Sequence, residues 1–306
     1  MFPSYREHGV ALTHGVELMS ILKMMRGVNH GGWNPEETRF HLYAIVLATQ
    51  VLHAVGYAMG VKLDGKVGTG NPEEDLAVIS YMGDGATAEG DVSESLLFAA
   101  VNESPIVFFI QNNQWAISTP GTGQTAAETI ALKGIGYGMD AIQVDGNNIL
   151  EVIEAVRNIR SQIQENPRPF ILELMTFRMR GHEEASGTKY YPEGLQAEWE
   201  PKDPVTNFEA FLREQNILDQ AAIDQIKHQF KEEIQEAFDA ANSAPKIIPD
   251  LAQELFDVYA PHEFKAVEPG ADTEEVRFID AIQDGLRTAM QTHPNLVLMG
   301  QDIAEY

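Results

Sequence analysis

"LAVISYMGDGATAEGD", residues 76–91, and "PIVFFIQNNQWAIST", residues 105–119, each run from a continuous apolar stretch into small polar residues, GDG in one case and NN in the other. A strand that only packs gains nothing from ending this way. Near-continuous apolar runs are the pattern of strands covered on both faces, and 141–144 and 169–177 read similarly. Between them lie helical periods: Val92, Leu96 and Ala99 fall on one stripe, and Ile149, Val152, Val156, Ile159 and Ile163 on another. Strands alternating with helices of this length predict βαβ units and an α/β fold with a parallel sheet.

In such a sheet, ligands bind outside the carboxyl ends of the strands. Asp84 and Asn113 stand just past two consecutive strand ends, 113 - 84 = 29 residues apart, which is one strand-helix-strand repeat. Neighbouring strands would bring their side chains within roughly 5 Å. A carboxylate and a neutral amide oxygen are hard donors, suited with carbonyl and phosphate oxygens to octahedral Mg²⁺ and not to zinc. Gly83 and Gly85 remove Cβ atoms where a ligand approaches the backbone, and a helix starting near Glu89 turns free N-H groups and a positive dipole end towards phosphate. The pair therefore reads as a site for Mg²⁺ and a phosphorylated ligand. No GK[ST] marks a P-loop, GDGATAEG is not GxGxxG, and GDG without NN would more often be a turn.

The rest of the chain bounds this reading. Its 306 residues allow one large domain or two ordinary ones, and a composition of 44% hydrophobic and 22% charged residues is that of a soluble globular protein. No apolar run approaches the roughly 20 residues of a membrane span. "MFPSYREHGV" has neither an apolar signal core nor an Arg-rich leader, so the expected compartment is the cytoplasm. The absence of cysteine excludes disulfides, thiolate nucleophiles and Cys-ligated zinc. With 46 acidic against 21 basic side chains the formal charge is -25, which disfavours nucleic acid. Gly56 and Gly60, four apart on a helical pattern, are read as a close helix-packing face.

From residue 203 to 244 two amphipathic helices are predicted, with Pro204 inside the start of the first and Asp219 capping the second. Residues 245–272 read as a linker. After it come a capped helix with Phe278, Ile282, Leu286 and Met290 on one face, a turn at Pro294 and a strand at 296–299.

"GDGATAEGD" followed by "NNQWAIS" resembles the signature of thiamine diphosphate enzymes, and the stretch from "YREHG" to about residue 245 is similar to the α part of the decarboxylating first component of 2-oxo acid dehydrogenase complexes. The tail, "FIDAIQDGLRTAMQTHPNLVLMGQDIAEY", resembles the start of the β part. The resemblance implies the thiamine diphosphate-binding fold over 1–202, a helical extension over 203–244, a linker over 245–272, and the opening of a pyrimidine-binding second α/β domain over 273–306. It makes Asp84, Asn113 and the main-chain oxygen of Trp115 the Mg²⁺ ligands. Gly83, Gly85, Ala86, Leu47 and Ile117 would line the cofactor, and Tyr5 and Arg6 would bind its diphosphate, for which a phenol and a guanidinium fork are chemically suited. Thr49 and Gln50 match a potassium site of some members. His182, on "FRMRGHEEASG", matches the active-site histidine, with Arg178 a nearby loop arginine and His8 a weaker substrate-side candidate.

The implied reaction is oxidative decarboxylation of a 2-oxo acid, with the acyl group passed to lipoamide on an acyltransferase component. "NNQWAIST" is closer to the "NN-aromatic-AIST" pattern of branched-chain members than to that of pyruvate ones, which implies acids such as 3-methyl-2-oxobutanoate; pyruvate and acetoin enzymes stay open, as does a cofactor-binding assembly module without turnover. A homodimer of fused α-β chains is expected. Four positions depart from the pattern. Glu183 replaces a phosphorylatable serine, so kinase control there is not expected, and Gln111 replaces a charged residue before NN. Ile45 replaces the small or hydroxyl residue often found near the diphosphate, and the glutamate that activates the aminopyrimidine is expected beyond Tyr306, leaving this chain catalytically incomplete alone.

Overall fold

Four of the apolar runs pair into one parallel sheet. The computed structural model, which describes all residues except His30, Ala260, Pro269 and 304–306, forms β1 (Val78–Gly83), β2 (Ile106–Asn112), β3 (Asp140–Asp145) and β4 (Phe170–Met175). Their order across the sheet is β1-β2-β4-β3. β1 and β2 are neighbours, with Val78 opposite Ile106 and Gly83 opposite Gln111, so the GDG and NN turns leave the sheet at the same level. On the far side of β2, Asn112 stands opposite Met175 of β4. At the outer edge of β1, the Phe2 N-H donates to Ile79 O (2.8 Å) and the Tyr81 N-H to Phe2 O (2.9 Å), which leads "YREHG" towards the same strand ends.

The sheet is flanked by α1 (Thr49–Leu63), α2 (Gly90–Val101) and α3 (Ile149–Glu165). Ala54 and Ala58 are fully buried on α1, and their small side chains let that helix sit close against β1 and α2. Val92, Leu96 and Ala99 are buried on α2 as their spacing predicts. The Asn148 side chain starts α3 by accepting from the Leu150 N-H at 3.2 Å, and Ile159 and Ile163 are its most deeply buried stripe residues. Phe108, Ile171 and Leu172, from the two central strands, are fully buried at the heart of the core. β3 differs from the sequence reading. Among the described residues it is an edge strand, and its Ile142 is 40% exposed.

The amphipathic pair forms as α4 (Pro204–Glu214) and α5 (Gln220–Ser243). Asp203 caps α4 by accepting from the Thr206 N-H at 2.7 Å, and Asp219 caps α5 through the Ala222 N-H at 2.8 Å. The Gly56 and Gly60 reading fails within the chain: a Cβ at either position would meet nothing within 4 Å, so neither glycine mediates a close packing contact here.

The chain divides into two compact units, Met1–Ile247 and Ile248–Tyr306. The second contains α6 (Leu251–Val258) and α7 (Phe278–Thr292). α6 lies inside the stretch read as linker, started by the Asp250 carboxylate, which accepts from the N-H groups of Ala252 (2.9 Å) and Gln253 (3.3 Å). α7 lacks the expected side-chain cap; Arg277 at its start pairs with Asp280 at 2.7 Å instead. The strand read at 296–299 does not form, since a strand's N-H and C=O groups need a neighbouring strand and no described residue of this unit supplies one. The end of the tail, 304–306, lies outside the described residues.

Candidate cofactor site

β1 ends into the 3-10 turn Gly85–Ala88, and Asp84 stands at that junction, only 2% exposed. Thr87 locks the turn by donating its hydroxyl to Asp84 O at 2.7 Å. Gly85 is required by packing: a Cβ there would lie 2.8 Å from the Ala116 Cβ, so only glycine lets the Trp115–Ala116 ribbon close over the turn. Gly83 has no such neighbour within 4 Å. Ala86 is buried in the core beneath.

The two asparagines have different duties. Asn112 is a brace: its Oδ1 accepts from the Gln114 N-H at 3.0 Å, and its Nδ2 donates to Glu173 Oε1 at 2.7 Å. Glu173, fully buried on β4, also accepts from the Ala131 N-H at 2.8 Å. Asn113 makes an Asx turn, its Oδ1 accepting from the Trp115 N-H at 3.1 Å. Gln114 and Ile117 take left-handed φ values of 70° and 55°, which curls the chain so that the Trp115 and Ile117 carbonyls face a single group.

That group is Arg178. Its Nη1 donates to Trp115 O (3.4 Å), and its Nη2 donates to Ile117 O (2.5 Å) and to the Tyr190 hydroxyl (2.7 Å). Nη1 also lies 3.2 Å from His182 Nδ1, while Arg6 Nη2 donates to His182 O at 2.5 Å and lies 3.4 Å from the same Nδ1. Guanidinium groups only donate, so Nδ1 is the acceptor and carries no proton. Burial, then the charges of Arg6 and Arg178, hold the His182 pKa below its ordinary value, with Glu183 opposing. Asp84 moves the other way. Burial raises its carboxyl pKa, while hydrogen bonds led by Gln124 and the charge of Arg178 pull it back.

Other expected residues are placed less centrally. Tyr5 contributes its ring, over which the Arg6 guanidinium lies 5.6 Å from the centroid. His8 is turned to Tyr43 (Nδ1 to hydroxyl oxygen 2.9 Å), and no contact joins it to His182. Leu47, Ile117 and Ile45 are exposed. Gln50 is buried and donates to Tyr81 O at 2.8 Å, while its Oε1 has no donor. Gln111 donates to the buried Glu7 at 2.6 Å, so its amide helps to satisfy that carboxylate.

A cavity of about 310 Å³ opens beside Asp84, lined also by Asn112, Gln114, Gln124, Gln143 and Glu173. Among the described residues no cluster of three or more His, Asp or Glu side chains could hold a metal. The expected ligand set needs only one such side chain, Asp84; the other oxygens come from an amide and a carbonyl. Those donors fit a hard divalent ion. Trp115 O, however, already accepts from Arg178, so an ion bound there would share or displace that bond. Glu7, Gln124, Glu173 and Tyr190 were not legible as site residues; the partners of the first three lie 104, 40 and 61 positions away, and that of Tyr190 lies 12 away.

Residues 1–250 match the family described as Dehydrogenase E1 component. The 3-methyl-2-oxobutanoate dehydrogenase subunit alpha of Mycobacterium tuberculosis (strain ATCC 25618 / H37Rv) is 36% identical over 261 residues, covering 85% of this chain and 68% of that protein. The pyruvate dehydrogenase E1 component subunit alpha of Bacillus cereus is 33% identical over 260 residues (84% and 68%), and that of Bacillus subtilis (strain 168) 32% over 279 residues (87% and 73%). With its parallel sheet, and with a family match over most of its length, the chain belongs to the E1 components of 2-oxo acid dehydrogenases, a family that implies thiamine diphosphate and usually a divalent metal.

Proposed function

We propose that the carboxyl ends of β1 and β2 hold thiamine diphosphate through Mg²⁺, with Asp84, Asn113 and the main-chain oxygen of Trp115 as ligands. Tyr5 and Arg6 bind the diphosphate, and Leu47, Gly83, Gly85, Ala86 and Ile117 line the cofactor. One observation carries this reading: a carboxylate only 2% exposed stands beside an Asx turn whose carbonyls face the Arg178 guanidinium, and Arg6, Arg178 and His182 meet across the same turn. That clustering of basic nitrogen, in a chain of formal charge -25, suits an anionic ligand bridged by a metal. K⁺ near Thr49 and Gln50 is supported by the buried, donor-free Gln50 Oε1.

When bound, the cofactor supplies the electron sink for loss of carbon dioxide. The chain's residues would orient it, with Asp84 and Asn113 holding the phosphate end through the metal. His182, neutral and unprotonated at Nδ1, assists substrate or acyl transfer to the lipoamide of the acyltransferase partner. The favoured substrate is 3-methyl-2-oxobutanoate, in keeping with the aromatic Trp115 that precedes AIST; the pyruvate dehydrogenase relatives make pyruvate the second reading. The domain reading, 1–202 for the cofactor, 203–244 as extension, 245–272 as connection and 273–306 as part of a pyrimidine-binding region, is proposed with a homodimer of α-β fusions in the cytoplasm.

The test adds thiamine diphosphate with Mg²⁺ and follows the melting temperature, then compares decarboxylation of 3-methyl-2-oxobutanoate and pyruvate in the assembled enzyme. Stabilisation requiring both additions, and faster turnover of the branched acid, are expected. No stabilisation sinks the site assignment; preference for pyruvate moves the substrate to the second reading.

A further inference from the structure

Asp84 is gripped from a side that the GDG motif does not announce. Gln124 follows the 3-10 turn Gly121–Gly123, and its backbone N-H donates to Gly121 O at 3.0 Å. Its Nε2 donates both to Asp84 Oδ2 (2.9 Å) and to Thr119 O (3.2 Å). The ribbon Trp115–Ala116 and Thr119–Pro120 thus returns past the end of β1 and fastens there by one amide. Ala116 and Gln124 also bound the space at Gly85: a Cβ on Gly85 would lie 2.8 Å from Ala116 Cβ and 3.8 Å from Gln124 Oε1.

A residue serving only to brace the ribbon would not need this arrangement. Gln124 Oε1 is buried and no protein group donates to it, an expense that a hydrocarbon side chain of the same length would avoid. The N-H on Asp84 Oδ2 is what the hydrocarbon could not supply, and together with the backbone N-H groups of Asp84 and Asn113 it settles the orientation of a buried carboxylate that has one donor among side chains. Carboxylate ligands held by such outer hydrogen bonds bind metal more tightly because their orientation is settled beforehand.

We infer that Gln124 is the positioning residue of the metal site: it aims the Asp84 carboxylate at the ion and ties that aim to the closure of the Trp115–Pro120 ribbon. This rests on the reading of Asp84 as a metal ligand, and the experiment separates the two. Mn²⁺ is titrated into the full chain with thiamine diphosphate present, and bound ion is followed by its paramagnetic resonance signal, for the natural chain, Asp84→Asn and Gln124→Met. The expected result is loss of binding in D84N and about 10–100-fold weaker binding in Q124M, restored by excess Mn²⁺, with Q124M still folded in the absence of metal. Binding in Q124M equal to that of the natural chain, with D84N impaired, overturns the role of Gln124 alone. Equal binding in all three, or none in the natural chain, overturns the ligand reading and the inference with it. Should Q124M not fold, Gln124→Asn, which keeps the amide but withdraws it by one methylene, gives the same comparison with the same expected loss.

Discussion

Phe108 and Phe278 both sit in regular apolar patterns, one in β2 and one at the start of α7, and they meet opposite fates: Phe108 is fully buried and Phe278 is 82% exposed. Around Phe108, strands on both sides and flanking helices supply partners for every apolar atom. Around Phe278, the same stripe continues through Ile282, Leu286 and Met290, all more than 40% exposed. Periodicity therefore specifies an element, while burial depends on what is present to receive its face. The strand expected at 296–299 is the extreme case, because a strand without a neighbour cannot satisfy even its backbone.

The sharpest way to test that contrast is to remove the buried ring. Phe108→Ala should cost about 3–5 kcal/mol, read as a lower denaturant midpoint, because it opens a cavity between β2 and its neighbours. A loss below about 1 kcal/mol would mean that the sheet centre is looser than its burial indicates. Glu173→Gln comes next, at about 1–3 kcal/mol. The glutamate accepts from two donors, Asn112 Nδ2 and the Ala131 N-H, and a glutamine side chain must turn its own NH₂ towards one of them. Because Asn112 braces the turn carrying Asn113, E173Q should also weaken Mn²⁺ binding; stability loss with unchanged binding would separate the brace from the site.

Those two residues also mark the limits of what could be read from the chain. Phe108 was legible, since a run such as "IVFFI" can hardly be anything but a covered strand. Asp84 and Asn113 were legible for a related reason: each breaks such a run with a polar residue at the level where ligands bind. Glu173 was read as one residue within an apolar strand, and Gln124 and Glu7 as nothing at all. Their meaning comes from partners 61, 40 and 104 positions away, and neither composition nor period carries that information. Gly85 has a second reason that the sequence did not show, since its missing Cβ admits Ala116. β3 was legible as a strand, but its place at the edge was not, because strand order depends on connections that local sequence does not encode.

A smaller effect separates well-capped helices from the rest. The Asp203 carboxylate accepts from the Thr206 N-H at 2.7 Å, and that bond, first among the causes, holds its pKa below the ordinary 3.8. A carboxyl group with a lower pKa folded than unfolded adds stability above the unfolded value, and that contribution fades as pH falls through the folded one. Asp203→Ala should therefore cost about 1 kcal/mol at neutral pH, and the gap between variant and natural chain should close as pH falls below the ordinary carboxyl range. A gap independent of pH would show that packing, not the charged cap, starts α4.

The smallest expected effect bears most directly on the contrast. Phe278→Ala removes a ring that is 82% exposed on α7, so it leaves no cavity, and the change should stay within about 0.5 kcal/mol. Alanine's better helix propensity offsets part of what little contact is lost. The measurement is the same denaturant midpoint used for F108A, taken over a range of protein concentrations. A loss of several kcal/mol that grows with concentration would mean that α7 buries its stripe against another copy in solution, and the two phenylalanines would then differ in when they are covered, not in whether they are.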